Sequence, residues 1–419
     1  MPMKYLIYLF YFFCFFPYLQ ILPFNTDSQP NALIIAVVLF FLQKGEGKMD
    51  KSLFLLLLTL LGAFIILIVN YPITSLGIRL FGGYISLFLI PYVTYVSLKT
   101  TAGIPYSFFI CVVCIWLLVG CVQLFVDAGF LQFLLFRELS VVSLIESGRG
   151  VTSLAPEPTF YGVICVFLAI INQLCFCDEK YYRWILFSCL VQIFIISRSS
   201  ACIFIIILSC GAYVVHQAFC SSKCRDRYIL LLMGGICCSA LFFVIDLSPL
   251  ASYRIGKLLF FLQKNPSMFL ATDASVNERF NHAFFPLYGF FKDWGLPHGF
   301  DAFSENVLEI RSSGMFHNLF ISYFDIRRYH RIMSGIGALF FELGFIAFLP
   351  LYVMVKKFHE FQKENPSSIF CLYLYLFAML NAVPLMTALA PFILGVLIYL
   401  NDEQQIKVQA LKESLTEED

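Results

Sequence analysis

Residues 52–70 read SLFLLLLTLLGAFIILIVN, nineteen positions without a charged side chain. A helix of about 20 apolar residues crosses the roughly 30 Å hydrocarbon core of a bilayer, so this stretch predicts a membrane span. The whole chain has the same character. Hydrophobic residues make up 60% of it and charged residues 13%, and its mean hydropathy is +0.83. A soluble domain is nearer half apolar and about a quarter charged. The 49 Phe and 22 Tyr suit lipid-facing and interfacial helices. The expected fold class is therefore all-α, a polytopic integral membrane protein. A net charge of +1 says nothing about nucleic acid, and no block of like charge resembles a binding tail.

Working outward from residues 52–70, candidate spans fall near 4–23, 31–43, 52–70, 77–98, 106–126, 158–177, 183–197, 200–220, 228–246, 335–355, 367–384 and 386–400, about twelve in all. Lys and Arg in short loops set the orientation. Connections 24–30, 71–76 and the link near 385 carry none. The alternate connections carry Lys44, Lys48 and Lys51, then Lys99, Lys180 and Arg183, then Lys223, Arg225 and Arg227, then Lys356, Lys357 and Lys363. Lys4, Lys407 and Lys412 share that side, which makes both termini cytoplasmic. The expected organisation follows. Residues 1–246 hold spans one to nine with an outer interval at about 127–157, and 247–334 form a large helical outer loop. Residues 335–400 hold spans ten to twelve, and 401–419 form a cytoplasmic tail.

The apolar start, MPMKYLIYLFYFFCFF, has no small-residue cleavage site after it and reads as a retained first helix. The 15 Cys avoid both outer intervals, where a disulfide framework would put them, and read as small hydrophobes. No internal repeat or inverted pair of broken helices of the transporter kind is evident.

The polar residues with chemical potential lie on the outer side. In RGVTSLAPEPTFYG, residues 149–162, two prolines hold Glu157 on a stiff turn before an apolar helix, with Arg149 eight positions earlier. Arg198 sits in the tight turn SRSS at 197–200, and Arg79 begins the fourth span. In the large loop stand Arg279, the stretch GLPHGF at 295–300, His317, and the cluster Arg327, Arg328, His330 and Arg331. Each has an ordinary structural reading. Arg79 snorkels to headgroups, Glu157 starts a helix and meets its dipole, and GLPHGF is a turn. His317 is then an interfacial histidine, and the 327–331 cluster meets anionic lipid. Together they fit a phosphate-bearing substrate, because guanidinium grips phosphate in bidentate fashion. A carboxylate or neutral imidazole nearby serves as base. The sequence holds no P-loop, dinucleotide glycine pattern or carboxylate cluster for Mg²⁺, so no metal or nucleotide cofactor is expected. The substrate must arrive already activated.

In order and character, SLAPEPTFYG at 153–162, SRSS at 197–200, SVNERF and FKDWGLPHGF within 275–300, and HNLF with SGIGALFFELGFIAF within 317–348 resemble the O-antigen polymerase (Wzy-type) and O-antigen ligase family of bacterial inner-membrane proteins. The resemblance covers roughly residues 75–400 as scattered motifs. It implies a fold like the lipid-donor membrane glycosyltransferases (GT-C-like), with the large loop in the periplasm. It also implies polymerisation of undecaprenyl-pyrophosphate-linked oligosaccharide repeat units. Glu157, Arg279 and His317 would then be catalytic, and Arg149, Arg198, Arg279, Arg327 and Arg328 would bind the pyrophosphate. The stretch DIRRYHRIM departs from the ligase pattern and makes His330 a rival to His317. Lipid-linked oligosaccharide and membrane lipid are the implied partners, with room for a chain-length regulator and none for nucleic acid. A ligase that caps lipid A–core, and a flippase or exporter without chemistry, are the competing readings.

Overall fold

The computed structural model describes residues 3–22, 26–43, 50–70, 72–136, 150–220, 226–227, 229, 231–235, 248–249, 254–265, 270, 274–320, 324–362, 365–381 and 383–416. Among the described residues the chain is helical without strands, apart from one isolated antiparallel bridge between Leu19 and Leu135. Six helical stretches among the described residues are long and apolar enough to cross a membrane: Lys51–Val69, Ser75–Thr101, Tyr106–Phe125, Pro158–Cys175, Ser200–Cys220 and Gly335–Phe361. Large apolar side chains such as Phe41, Phe64, Trp184 and Phe219 are exposed, as a lipid-facing surface requires.

Among the described residues the first eight α-helices in chain order are α1 (Met3–Phe15), α2 (Asn31–Leu42), α3 (Lys51–Val69), α4 (Ser75–Thr101), α5 (Tyr106–Phe125), α6 (Pro158–Cys175), α7 (Tyr182–Val191) and α8 (Ser200–Cys220). Expected span 4–23 ends early, at Phe15, because Pro17 has no N–H to continue the ladder. A π-helical turn, Gln192–Ile196, extends α7. Expected span 228–246 lies largely outside the described residues. Among the described residues of 247–334 lie α9 (Arg254–Lys264), α10 (Ala274–Lys292) and α11 (Phe303–Ser312). Then come α12 (Gly335–Leu343), a short 3-10 turn Gly344–Ala347, α13 (Phe348–Phe361), α14 (Ser368–Asn381) and α15 (Leu389–Thr416). The last helix therefore runs unbroken into the expected tail.

The centre of the bundle is α6, where nearly every side chain from Pro158 to Leu174 is buried. It packs against α7, α8, α14 and α15, while α4 lies along α3, α2 and α15. Lys99 of α4 meets Asp402 of α15 at 2.7 Å, and Lys357 of α13 meets Asp50, the N-cap residue of α3, at 3.3 Å.

The segment before α6 is fixed from two sides. Ser153 donates its N–H to Gln123 Oε1 at 2.7 Å, and its hydroxyl donates to the Trp116 carbonyl at 2.9 Å, both on α5. A Cβ at Gly150 would collide with the carbonyl oxygens of Ile196 and Ser197, so only glycine admits this approach to the turn after α7. The mouth of α6 is thus a braced corner, and Glu157 stands on it.

Candidate functional site

Glu157 occupies the N-cap of α6 with extended backbone (φ −139°, ψ 154°), and Pro158 is the first helical residue. Its side chain caps no helix N–H. It accepts instead from Arg279 Nη2 at 3.2 Å, across 122 positions of chain. Arg279 lies on α10, and its Nη1 donates to Ser275 Oγ at 2.8 Å one turn back. Glu157 does start the helix, as the sequence reading has it, but its side chain turns away from the helix N–H groups to a charged partner, and charge-assisted contacts of this kind are among the stronger hydrogen bonds.

The same helix organises the loop around it. Asn281 Nδ2 donates to Asn277 Oδ1 at 3.0 Å and to Tyr329 Oη at 3.1 Å, while Asn277 Nδ2 donates to the Leu319 carbonyl at 3.0 Å. His282, fully buried, stacks on Tyr329 with ring centroids 4.9 Å apart and accepts the Met333 N–H on Nδ1 at 3.4 Å. Burial, with Arg331 and Arg279 nearby, pushes its pKa down to about 3. His282 is therefore a neutral packing group that holds residues 329–333 against α10.

Those contacts place the basic cluster on the rim of a cavity of about 670 Å³ between the loop and the apolar helices. Arg79, Arg327, Arg328, His330 and Arg331 line it, as do Asp27, Glu157, Glu278, Asp325 and Glu342. Phe136, Phe160, Pro384 and Leu385 supply apolar wall. The charges are arranged in pairs. Arg331 binds Asp27, and Arg328 Nη1 meets Glu278 Oε2 at 2.9 Å. Arg327 forks onto Asp325 through Nε at 3.1 Å and Nη2 at 2.9 Å, which holds the Asp325 carboxyl below its usual range. Arg79 makes no ion pair among the described residues, although Asp27 and Arg331 act on it electrostatically. Glu342 accepts from Tyr84 Oη at 2.6 Å.

Four guanidiniums and five carboxylates among the lining residues do not make a basic surface. They make a set of arginines fixed in direction, each with five N–H donors, most of them unspent by one carboxylate. Such a set receives a phosphate group by adding donors or by exchanging partners.

The sequence-selected residues separate clearly. Glu157, Arg327, Arg328 and His330 line the cavity, and Arg279 joins it through Glu157. Arg198 is exposed in the turn before α8, between buried Ser197 and Ser199, with φ +45° and its Nε donating to the Ile195 carbonyl at 3.2 Å. His317 opens an exposed 3-10 turn, His317–Leu319. Neither is among the cavity's lining residues. Arg149 lies outside the described residues. Sequence reasoning missed Asp27, Glu278 and Glu342. A lone carboxylate inside an apolar helix was the available signal for Glu342; nothing in the sequence tied Asp27 to Arg331.

Compared with known protein families and with curated proteins, the chain matches none.

Proposed function

We propose that this chain polymerises lipid-linked oligosaccharide repeat units at the outer face of a bacterial inner membrane. A growing glycan on undecaprenyl pyrophosphate is the donor, and a sugar hydroxyl of a second lipid-linked unit is the acceptor. The observation that carries the reading is the position of the arginine-lined cavity. It lies where residues 325–333 meet helices long and apolar enough to cross a membrane. A polyprenyl pyrophosphate needs both surfaces, guanidiniums for the phosphates and an apolar flank for the lipid.

In this reading Arg79, Arg328 and Arg331 neutralise the charge that develops on the leaving pyrophosphate. Arg279 and Glu157 hold the rim in register. No nucleotide enters, because the donor is already activated, and the spent carrier stays in the membrane.

The test is the surface glycan of a strain lacking the gene, resolved as a ladder. The expected result is lipid A–core bearing a single repeat unit, restored to a full ladder by the gene. Bare core with polymer left on the carrier points to ligation instead, and trapped single units without surface glycan point to export. A full ladder in the deletion strain overturns the reading.

A further inference from the structure

We propose that Glu342 is the base of the transfer reaction, taking the proton of the acceptor hydroxyl at the α12 end of the cavity. The inference rests on the glycosyl-transfer reading above.

Five carboxylates line the cavity, and four of them are bound to a guanidinium. Asp27, Glu157, Glu278 and Asp325 are each committed in this way. A carboxylate held by a guanidinium keeps its charge and is a poor proton acceptor. Glu342 is the exception among the described residues. Its partner is the neutral Tyr84 hydroxyl at 2.6 Å, and the residue is only 4% exposed. An ionisable side chain inside an apolar helix is expensive to keep there and usually marks function.

The backbone around Glu342 is built to hold it. The helix breaks at Gly344, which has φ +59°, leaving carbonyls that the ordinary ladder does not serve. The GLPHGF stretch serves them: His298 N–H donates to the Phe341 carbonyl at 3.0 Å, and Gly299 N–H to the Glu342 carbonyl at 3.2 Å. In return the Phe345 N–H donates to the Gly295 carbonyl at 3.1 Å. A strap from the outer loop thus fixes the segment carrying the carboxylate, and Tyr84 of α4 fixes the carboxylate itself.

The step balances without a further reactant. The acceptor oxygen bonds to the donor's anomeric carbon as its proton passes to a Glu342 oxygen. The bond from that carbon to the pyrophosphate oxygen breaks, and its electron pair leaves with the pyrophosphate on the lipid carrier. Water then removes the proton from Glu342.

The experiment uses the full-length protein in proteoliposomes with a purified undecaprenyl-pyrophosphate-linked repeat unit. Glu342→Gln keeps the shape and an acceptor for Tyr84, and is expected to slow chain growth by about 10²–10⁴-fold with retention of the donor lipid unchanged. In Glu342→Ala, added formate is expected to restore much of the lost rate. A purely structural tether between α4 and α12 predicts otherwise: near-normal growth for Glu342→Gln and no formate response. Either of those results, or loss of donor binding in Glu342→Gln, overturns the assignment. Wild-type protein that makes no polymer from this donor overturns the glycosyl-transfer reading itself, so the two failures are distinguishable.

Discussion

The Glu157 carboxylate and the Arg279 guanidinium meet at 3.2 Å, joining the mouth of α6 to α10 of the long loop. The pair is half sheltered, with 12% of the Arg279 side chain and 31% of the Glu157 side chain exposed. It is the direct charged link between the braced corner before α6 and the helix that carries the cavity's rim.

That link predicts a non-additive pair. Arg279→Ala and Glu157→Gln are each expected to reduce polymer formation, and the double variant to be little worse than the stronger single one. Partial exposure limits the coupling in thermal stability to about 1 kcal/mol. Arg279→Lys is not expected to rescue, because one ammonium cannot span both Glu157 and Ser275. Chain-length profiles and melting of the purified variants measure both effects. Additive losses would show that the two residues act separately.

The break at Gly344 makes a second prediction. Its backbone, φ +59° and ψ −133°, is open essentially to glycine alone, and a Cβ there would collide with the Gly295 carbonyl oxygen. Gly344→Ala is expected to cost about 1–3 kcal/mol and to loosen the GLPHGF strap. Thermal unfolding in detergent, with hydrogen exchange at residues 295–299, reads both. Unchanged melting would mean that the strap does not depend on this conformation.

How far the sequence made this visible depends on what kind of information each feature needed. Residues 52–70 became Lys51–Val69 within a residue, because uninterrupted apolarity over nineteen positions has one outcome. Glu157 and Arg279 were each found as candidates, but their pairing was not, since no local rule connects positions 157 and 279. Arg198 and His317 were selected by residue type and order, and the three-dimensional arrangement leaves both off the cavity wall. Asp27 is a single acid in a short connection, recognisable only once Arg331 stands beside it. Local propensity and lipid exclusion were legible. Long-range pairing of charges was not.

His282 predicts a pH dependence. Its pKa falls from an ordinary 6.5 to about 3, so between those values the unfolded chain binds a proton that the folded chain refuses. Stability from this group is complete above about pH 6.5 and declines as pH falls toward 3, by at most about 1.4 kcal/mol per pH unit. His282→Phe keeps the stack on Tyr329 and removes the titration. Its melting temperature is expected to fall less steeply than wild type from neutral pH to pH 4.5. Identical slopes would assign the acid sensitivity to other groups.

Arg79 and Arg327 line one cavity but differ in commitment, and this difference predicts unequal effects on donor binding. Arg327 is forked onto Asp325 through two nitrogens, and it is exposed, so an incoming phosphate must displace a bidentate partner in water to use it. Arg79 makes no ion pair among the described residues, while Leu80 and Leu76 beside it supply apolar wall in the same cavity. A charge-assisted contact made by an uncommitted guanidinium is worth about 1.5–3 kcal/mol, which is roughly 10–150-fold in affinity. Arg79→Ala is therefore expected to weaken binding of the pyrophosphate-linked donor by at least tenfold, and Arg327→Ala by no more than about threefold. Both variants should fold, since neither side chain is buried. Retention of labelled donor lipid by proteoliposomes carrying each variant measures the two values. Equal losses would show that the ion pairs do not decide which arginine holds the phosphate.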